Sequence, residues 1–325
     1  MKILFNRNNS IGIFCLLLLL AVGVVSCIKD EYAENNEKAT VQVTFMTRAV
    51  TTSTTSGDAL LPNERMQSLR VIVANGSNIL YNVYYKDFEK DEDGRFYKTI
   101  TFSELTTVKG TDLDFYAIAN ESGLGDGNDL SEVTIDGLKN IELDNNFLTN
   151  ANAMNSTTLI PQTAYKRISV NPTGGNRIQK EYMELNFVVA KLRLTINNAS
   201  TVEQTVSNIS ISNALVNTTP LLRLSENKEL TTSTNPLGLS DMTIPAEGTL
   251  STWRYIYEYT RNGGFHMSAN WPDVSTYKEI AEPSITDVPR GTELDINVTL
   301  SVNTEPEIEV LVIPWAEKSM GVEFN

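Results

Sequence analysis

The sequence predicts an all-β protein built from two antiparallel β-sandwich domains in tandem. Segments in which apolar and polar residues alternate recur between turns rich in Gly, Asn and Pro. Long segments with the helical spacing of apolar residues are absent, which argues against an alternation of strands and helices. The chain has 325 residues, which is enough for two domains with separate cores.

The N-terminal segment has the features of a secretory signal. Lys2 and Arg7 supply positive charge, and residues 11–25 form an almost wholly apolar run that is short for a membrane-spanning helix. The run ends at Val-Val-Ser-Cys, which resembles a bacterial lipobox with Cys27 as the lipidated residue. Several acyl chains on this cysteine would anchor the protein stably. An ordinary signal peptide with an incidental cysteine, or a signal anchor, is the alternative.

A polar segment follows Cys27. Residues 28–38 are rich in charged and amide side chains, so they cannot bury enough apolar surface to fold and are expected to form a flexible tether. The cluster Lys29, Asp30 and Glu31 resembles the surface-export signal of Bacteroidetes lipoproteins. The alternative is that this cluster belongs to a solvated spacer and carries no export signal.

Strands in the N-terminal half are predicted from alternation and from short apolar runs. Val41 to Phe45 alternates apolar with polar residues, which predicts a half-buried strand. Asn75-Gly76 predicts a hairpin turn. Further strands are predicted at 69–74, 79–85, 95–102, 113–119 and 166–170, with a short helix or irregular segment at 130–143 and no assignment for 147–162. The Pro- and Gly-containing residues 171–176 are the predicted linker.

The C-terminal half opens with alternation across residues 188–196, which places Lys191 and Arg193 on the polar face. Further strands are predicted at 207–213 and 294–302. Residues 308–313 are apolar on both faces, so we expect them to be buried between layers. A tail, residues 316–325, follows this last strand and is free to be donated to a neighbouring molecule.

Composition and charge exclude several classes of function. The formal net charge of −14 disfavours nucleic acid and anionic membrane surfaces as partners. Cys15 and Cys27 are the only cysteines, so the mature body has no thiol for a disulfide or a metal site. His266 is the only histidine and lies between Phe265 and Met267, which favours a structural role over catalysis. We therefore expect no enzyme, no cofactor and no metal.

Two weaker signals for binding have simpler explanations. Asp126, Asn128 and Asp129 lie in a Gly-rich loop, but the spacing lacks the Gly and Glu positions of the twelve-residue calcium loop. The aromatic residues of 253–259 recur at strand period and are of a type that stacks on sugars. Aromatic residues in strands are more typical of a core.

The order of these segments is similar to that of the FimA-type fimbrillins of Bacteroidales, the subunits of type V pili. Each match is a short β pattern, and their collinear order over nearly the whole chain carries the resemblance. The matching segments are Cys27, Val41–Phe45 followed by Thr47-Arg48-Ala49, 69–73, 115–120, 187–192, 255–258, 294–300 and the last strand with Pro314-Trp315.

The resemblance implies two transthyretin-like β-sandwich domains after a lipoprotein signal peptide. It divides the chain into the signal peptide (1–26), a propeptide of tether and removable first strand (27–48), an N-terminal domain (49–176) and a C-terminal domain (177–325). An arginine-specific protease is expected to cut between Arg48 and Ala49. The groove left by Val41, Val43 and Phe45 is then filled by another subunit's terminal strand and tail, represented here by Val310, Val312, Trp315, Val322 and Phe324.

Arg48 on its own is weak support for cleavage, because basic residues are common. Its place after the strand and before a Thr/Ser/Gly stretch accessible to proteases favours a processing site.

Two classes of function follow. The first is a structural subunit of a surface fimbria at the cell outer membrane, matured by proteolysis and polymerised by donor-strand exchange with other fimbrial subunits, with a stalk role preferred over a lipid-retaining anchor or a tip. The second is a surface lipoprotein that binds a glycan or another ligand on a sandwich scaffold.

Overall fold

The structure is a computed structural model that describes residues 38–47, 60–92, 95–106, 111–125, 129–170, 178–212, 216–224, 236–260, 265–272, 278–282, 287–301 and 306–314. Strands dominate this part of the chain, and the helices in it are short. The predicted all-β class is therefore confirmed. No helix among the described residues is long and apolar enough to cross a membrane.

One eight-stranded sheet occupies the N-terminal half. Its strands are β1 (Lys38–Thr47), β2 (Leu69–Asn75), β3 (Asn78–Tyr85), β4 (Glu89–Lys90), β5 (Phe96–Thr106), β6 (Thr111–Ala119), β8 (Gln162–Val170) and β9 (Gln179–Phe187). They follow the order β3-β2-β6-β8-β9-β1-β5-β4. The predicted hairpin turn is confirmed, because β2 and β3 pair up to Asn75 and Asn78 around Gly76, which has a φ of +60°.

The sheet folds back on itself around a core. Tyr81 of β3 and Phe102 of β5, from opposite parts of the strand order, meet edge to face with ring centroids 4.9 Å apart. Phe102 in turn contacts Phe115 of β6 at 5.5 Å. We call the core between these strands the first core. It includes the inward-facing side chains of β1. This is the packing of a β-sandwich.

Short helical segments follow β6 in the chain. Residues 121–124 and 130–132 form single 3₁₀ turns, and α1 (Ile135–Lys139) and α2 (Asn145–Ala151) flank β7 (Glu142–Leu143). Thr134 and Asp144 cap the two α-helices by accepting hydrogen bonds from backbone N–H groups of the first turn. The short helix predicted within 130–143 is confirmed by α1, and α2 lies in a segment without a sequence assignment.

The C-terminal half contains smaller sheets. Their strands are β10 (Ala190–Asn198), β11 (Gln204–Ser212), β12 (Thr219–Pro220), β13 (Leu237–Gly238), β14 (Met242–Ile244), β15 (Thr249–Ile256), β16 (Tyr259–Thr260), β17 (Phe265–Asn270), β18 (Lys278–Glu282), β19 (Asp287–Val288), β20 (Thr292–Leu300) and β21 (Glu307–Pro314). One sheet has the order β15-β10-β20-β21, and another has the order β13-β11-β17-β18 with β14 also on β11. β12 pairs with β7 and β16 pairs with β19.

Strand pairing departs from the purely antiparallel prediction at two places. β1 pairs in parallel with β9, and β10 pairs in parallel with β20. Parallel neighbours cannot be joined by a short hairpin. In both pairs the two strands are far apart in sequence, with other strands between them.

A second core joins the two halves of the chain. It contains Ile72 of β2 and Tyr116 of β6, Phe147 of α2, and Leu192 and Ile296 of β10 and β20. β2 and β6 are therefore buried on both faces, which explains why their sequences are apolar runs without alternation.

The end of the eight-stranded sheet lies beyond the predicted linker. Residues 171–176 are outside the described residues, but β9 follows them and pairs with β8 and β1. The predicted boundary at residue 176 thus does not coincide with the end of the first sheet, which is Phe187.

Candidate functional site

The predicted removable strand is β1, and it lies inside the sheet with a neighbour on each side. It pairs antiparallel with β5 from Lys38↔Thr106 to Met46↔Tyr97. On its other side it pairs in parallel with β9 from Val41↔Gln179 to Thr47↔Leu185. Both backbone edges of β1 are therefore used. If β1 left, β5 and β9 would each present a row of unpaired backbone groups to the gap.

The inward face of β1 is part of the first core. Val41, Val43 and Phe45 are each 0 % exposed, as is Ala39 at the start of the strand. Burial of each large apolar side chain contributes about 1.5–3 kcal/mol. The prediction of a half-buried strand with these residues facing inward is confirmed.

The outward face of β1 is polar and is tied to β5 by side-chain hydrogen bonds. The hydroxyls of Thr44 and Thr99 are 3.0 Å apart, and Gln42 Nε2 donates to Thr101 Oγ1 at 3.3 Å. Next to this face, Tyr182 of β9 is 64 % exposed. A strand that occupied this position must therefore carry apolar residues on one face and polar residues on the other.

An ion pair lies on β9, the strand next to β1, and on its neighbour β8. Lys166 on β8 pairs with Glu181 on β9 at 2.7 Å, and this hydrogen bond lowers the pKa of Glu181. Tyr81 and Tyr85 pack against the first core, and their hydroxyl groups form a hydrogen bond with each other. Burial, and then this hydrogen bond, raise the pKa of Tyr85, so its hydroxyl is neutral at physiological pH.

The strand predicted to act as donor, β21, lies at the end of a sheet. Within the described residues it pairs with β20, from Thr292↔Pro314 to Thr299↔Glu307. Val310 packs against the second core, while Leu311 and Val312 are 39 % and 36 % exposed. The prediction that residues 308–313 are buried between layers is wrong, because Leu311 and Val312 are both exposed and, among the described residues, the second core packs against the strand at Ile308 and Val310.

Several predicted site residues lie outside the described residues. They are Cys27, Arg48, Ala49, Trp315, Val322 and Phe324, together with Asp126 and Asn128 of the Gly-rich loop. The last residue of β1, Thr47, directly precedes Arg48, and its hydroxyl accepts a hydrogen bond from Phe96 N at 3.1 Å. Asp129 accepts a hydrogen bond from Ser131 N and so starts a 3₁₀ turn.

The aromatic residues and the histidine singled out in the sequence analysis lie within the described residues. Tyr255, Tyr257 and Tyr259 are buried in the second core, which confirms the core interpretation over sugar stacking. His266 is half-buried on β17. Among the described residues, no group of His, Cys, Asp and Glu side chains is arranged to hold a metal ion.

Sequence reasoning missed a buried polar cluster between the two halves. Glu64 Oε1 accepts hydrogen bonds from Lys191 Nζ at 3.0 Å and from Tyr255 Oη at 2.8 Å. Lys191 was expected on the polar face of its strand, yet it is 3 % exposed because the N-terminal half covers that face. Nothing local in the sequence indicates this contact.

A second cluster is centred on Arg290. Its guanidinium donates to Glu258 Oε1 at 2.8 Å, to Thr219 Oγ1 at 2.9 Å and to the carbonyls of Pro220 and Leu221. Thr219 and Pro220 form β12, which pairs with β7 of the N-terminal half. Arg290 therefore holds β12, a strand of the C-terminal half that pairs with the N-terminal half.

The comparisons with solved structures identify the fold. The tip fimbrial protein Mfa3 from Porphyromonas gingivalis, solved with a C-terminal truncation, has a TM-score of 0.54 and is 15% identical, and the match covers 85% of this chain and 100% of that chain. The fold is that of fimbrial proteins. A fimbrilin (FimA) from Porphyromonas gingivalis W83 has a TM-score of 0.50 at 11% identity, with 85% of this chain and 97% of that chain covered.

The resemblance to fimbrillins is thus confirmed at the level of the fold. No protein-family model matches the sequence. No curated protein matches it either. In the described part of the chain, β1 is the first strand and β21 is the last.

Proposed function

We propose that the protein is a structural subunit of a surface fimbria of the type V pilus kind. In this proposal the chain is exported as a lipoprotein through Cys27, is cut between Arg48 and Ala49 by an arginine-specific protease, and polymerises by donor-strand exchange. The observation that carries the proposal is that β1 is an inner strand whose last residue, Thr47, directly precedes Arg48.

Loss of β1 would leave unpaired backbone groups and empty apolar positions, and together these determine which strand can bind in its place. The backbones of β5 and β9 lose their partner, and the first core loses the side chains of Val41, Val43 and Phe45. Addition of an extended strand restores backbone hydrogen bonds, each worth about 0.5–1.5 kcal/mol net, and refills the apolar positions. Pairing of this kind can hold subunits together without a covalent bond.

The residue pattern and the edge position of β21 support its role as the strand donated by a second copy. Ile308 and Val310 are half-buried and alternate with exposed Glu307 and Glu309, which matches the apolar and polar faces of β1 over the first half of β21. At the end of its sheet it has one partner, β20, within the described residues. Trp315, Val322 and Phe324 continue the chain beyond it and extend the proposed donor.

The presence of both a removable strand and a donor-like terminus favours a stalk subunit. An anchor would keep its lipid and β1, and a tip would lack a free donor. We further propose two domains, with β9 assigned to the N-terminal domain because it pairs with β1 and β8. Before cleavage, lipid on Cys27 would hold the protein at the outer membrane.

Limited proteolysis tests this proposal. Trypsin at limiting dose is expected to cut after Arg48 and to produce ladders that resist SDS, while Arg48→Gln stays monomeric. Arg65→Gln is the control, because Arg65 is an exposed arginine that lies outside β1. Deletion of residues 316–325 is expected to shorten or abolish the ladders. Cleavage that yields a stable monomer able to bind polysaccharide would favour the ligand-binding lipoprotein instead.

A further inference from the structure

A cleft of about 400 Å³ opens in the N-terminal half, and none of its lining residues belongs to β1, β5 or β9. It lies between the 3₁₀ turn at residues 121–124, the segment from β7 through α2, and residues 157–159. Its volume is within the range of about 300–1,000 Å³ that is usual for small-molecule sites.

The floor of the cleft is apolar and is anchored in the second core. Leu124, Leu143 and Phe147 line it and are 8 %, 3 % and 7 % exposed. On one side Gly123 lies against the backbone of Leu159, where an added Cβ would be 2.0 Å from the carbonyl oxygen. The backbone on either side of the cleft is therefore fixed, so the cleft exists before any ligand arrives.

The α2 wall is also fixed. Asp144 accepts hydrogen bonds from Asn146 N and Phe147 N and so caps the helix. After the helix, the Asn152 side chain bonds both the N–H and the carbonyl of Tyr255, at 2.7 and 2.9 Å. Both ends of α2 are tied to surrounding structure.

The rim carries polar side chains that the fold does not use. Ser122, Asn150 and Thr157 line the cleft and are exposed. Within the described part of the chain, their side-chain atoms enter no hydrogen bond. Hydroxyl and amide groups both donate and accept, which matches the hydroxyl groups of a sugar.

The charge of the cleft restricts the ligand further. Its charged lining residues are Glu142 and Asp144, and neither Lys nor Arg is among the lining residues that the structure describes. Anions are therefore repelled. An apolar floor under a rim of hydroxyl, amide and carboxylate groups suits a ring with one apolar face and several hydroxyl groups.

We propose that this cleft binds a neutral sugar, as a free monosaccharide or as the end of a glycan chain. The inference is independent of polymerisation, because it uses no residue of the β1 groove or of β21. A subunit that failed to polymerise could still bind sugar, and a subunit that polymerised could fail to bind it.

Saturation-transfer NMR on the purified full chain tests the inference. The probes are galactose, mannose and N-acetylglucosamine, with glucuronic acid as the anionic comparison. At least one neutral sugar is expected to bind with a Kd on the order of 1 mM, while glucuronic acid does not compete for it. Failure of all three neutral sugars, or equal binding of glucuronic acid, would overturn the inference.

Matched variants locate the binding. Asn150→Ala, which removes a rim amide, is expected to weaken binding about tenfold, and Ser122→Tyr, which fills the cleft, is expected to abolish it. Asn270→Ala is the control, since Asn270 is exposed on β17 and does not line the cleft. Circular dichroism confirms that each variant is folded. Unchanged binding in both cleft variants would show that the sugar binds elsewhere and would overturn the assignment.

Discussion

Glu64 and Lys191 form a buried ion pair across 127 residues of sequence, with Nζ and Oε1 3.0 Å apart. Their side chains are 1% and 4% exposed. Lys191 Nζ also lies 4.9 Å from the ring centroid of Trp253, and Glu64 Oε2 accepts a hydrogen bond from Leu61 N at 2.9 Å. Both charges thus have several partners, and together they link the N-terminal half to β10.

Loss of one partner of this pair is expected to be costly. Lys191→Met leaves the carboxylate of Glu64 buried without its cation and should lower the free energy of unfolding by about 3–5 kcal/mol. The double variant Glu64→Gln/Lys191→Met should recover much of this loss. Urea denaturation measures both values.

The exposed pair Lys166–Glu181 is the matched control for the buried one. The Lys166 side chain is 42% exposed, so Lys166→Met should cost no more than about 1 kcal/mol. Equal costs for the Lys166 and Lys191 variants would contradict the structural role of the buried pair.

Arg290 is expected to resist conservative replacement. Its planar guanidinium serves Glu258, Thr219 and two carbonyls together, a geometry that the single amine of lysine cannot reproduce. Burial lowers the pKa of Arg290, but its ordinary value is so high that the side chain stays charged. Arg290→Lys should therefore reduce the free energy of unfolding by about 2–4 kcal/mol.

Arg254→Lys serves as the comparison for Arg290→Lys. Arg254 is half-exposed, and its Nη1 donates to the Trp253 carbonyl at 2.8 Å. Thermal unfolding should show a small change for this variant and a large one for Arg290→Lys. If both shifted the melting temperature equally, the contacts of Arg290 would not matter for stability.

Alanine substitutions at two glycines compare a position packed against another backbone segment with a position that has open space around it. Gly123→Ala should destabilise the protein by about 1–3 kcal/mol or prevent folding, because the new Cβ would be 2.0 Å from Leu159 O and the backbone must shift. Gly238→Ala adds a Cβ with no atom within 4 Å, so it should be nearly neutral. Chemical denaturation of both variants gives the comparison, and a neutral Gly123→Ala would show that the contact is not as close as described.

Stability at low pH should depend on Asp114. The hydrogen bonds from Arg167, 2.8 and 3.0 Å long, lower the pKa of Asp114, with a smaller contribution from Tyr165. A carboxyl group with a lowered folded-state pKa stabilises the protein above its unfolded value of about 3.9, and this stabilisation is lost as pH falls through the folded-state value.

Asp114→Asn removes this pH-dependent contribution. The variant should be less stable than the parent protein at pH 7, and the difference should shrink as pH falls below about 4. Urea denaturation over this pH range measures it. A difference that stays constant across the range would indicate that the ionised form of Asp114 contributes nothing.

Local patterns in the sequence were sufficient to predict about half of the strands and the hairpin turn. Alternation located β1 and placed Val41, Val43 and Phe45 inward, and Asn75-Gly76 marked the β2–β3 turn. These features depend on neighbouring residues, so a single sequence carries them.

Long-range features could not be predicted in the same way. The pairing of β1 with β9 and the position of β21 at a sheet edge depend on which strands become neighbours, and alternation does not encode that. The burial of Lys191 likewise depends on a surface supplied by the N-terminal half. The cleft beside α2 is formed by three separate segments, and none of them carries a recognisable motif.

The central claim is that another copy's terminal strand takes the place of β1 beside β5. Cysteine cross-linking between two variants tests it directly. One copy carries Thr99→Cys on β5, opposite Thr44 of β1, and the other carries a cysteine at Glu307, Glu309 or Leu311 of β21. Cleavage after Arg48 removes the two natural cysteines, so the introduced thiols are the only ones.

Formation of disulfide-linked heterodimers is the measurement, with the joined peptides identified by mass. Antiparallel pairing places opposite residues with Cα atoms about 4.5–5.5 Å apart, within the Cα range of a disulfide. We predict heterodimers at one or more of the three donor positions after cleavage, and none when Arg48→Gln blocks it. Polymers that form after cleavage without any of these cross-links, or cross-links that form equally without cleavage, would contradict the account.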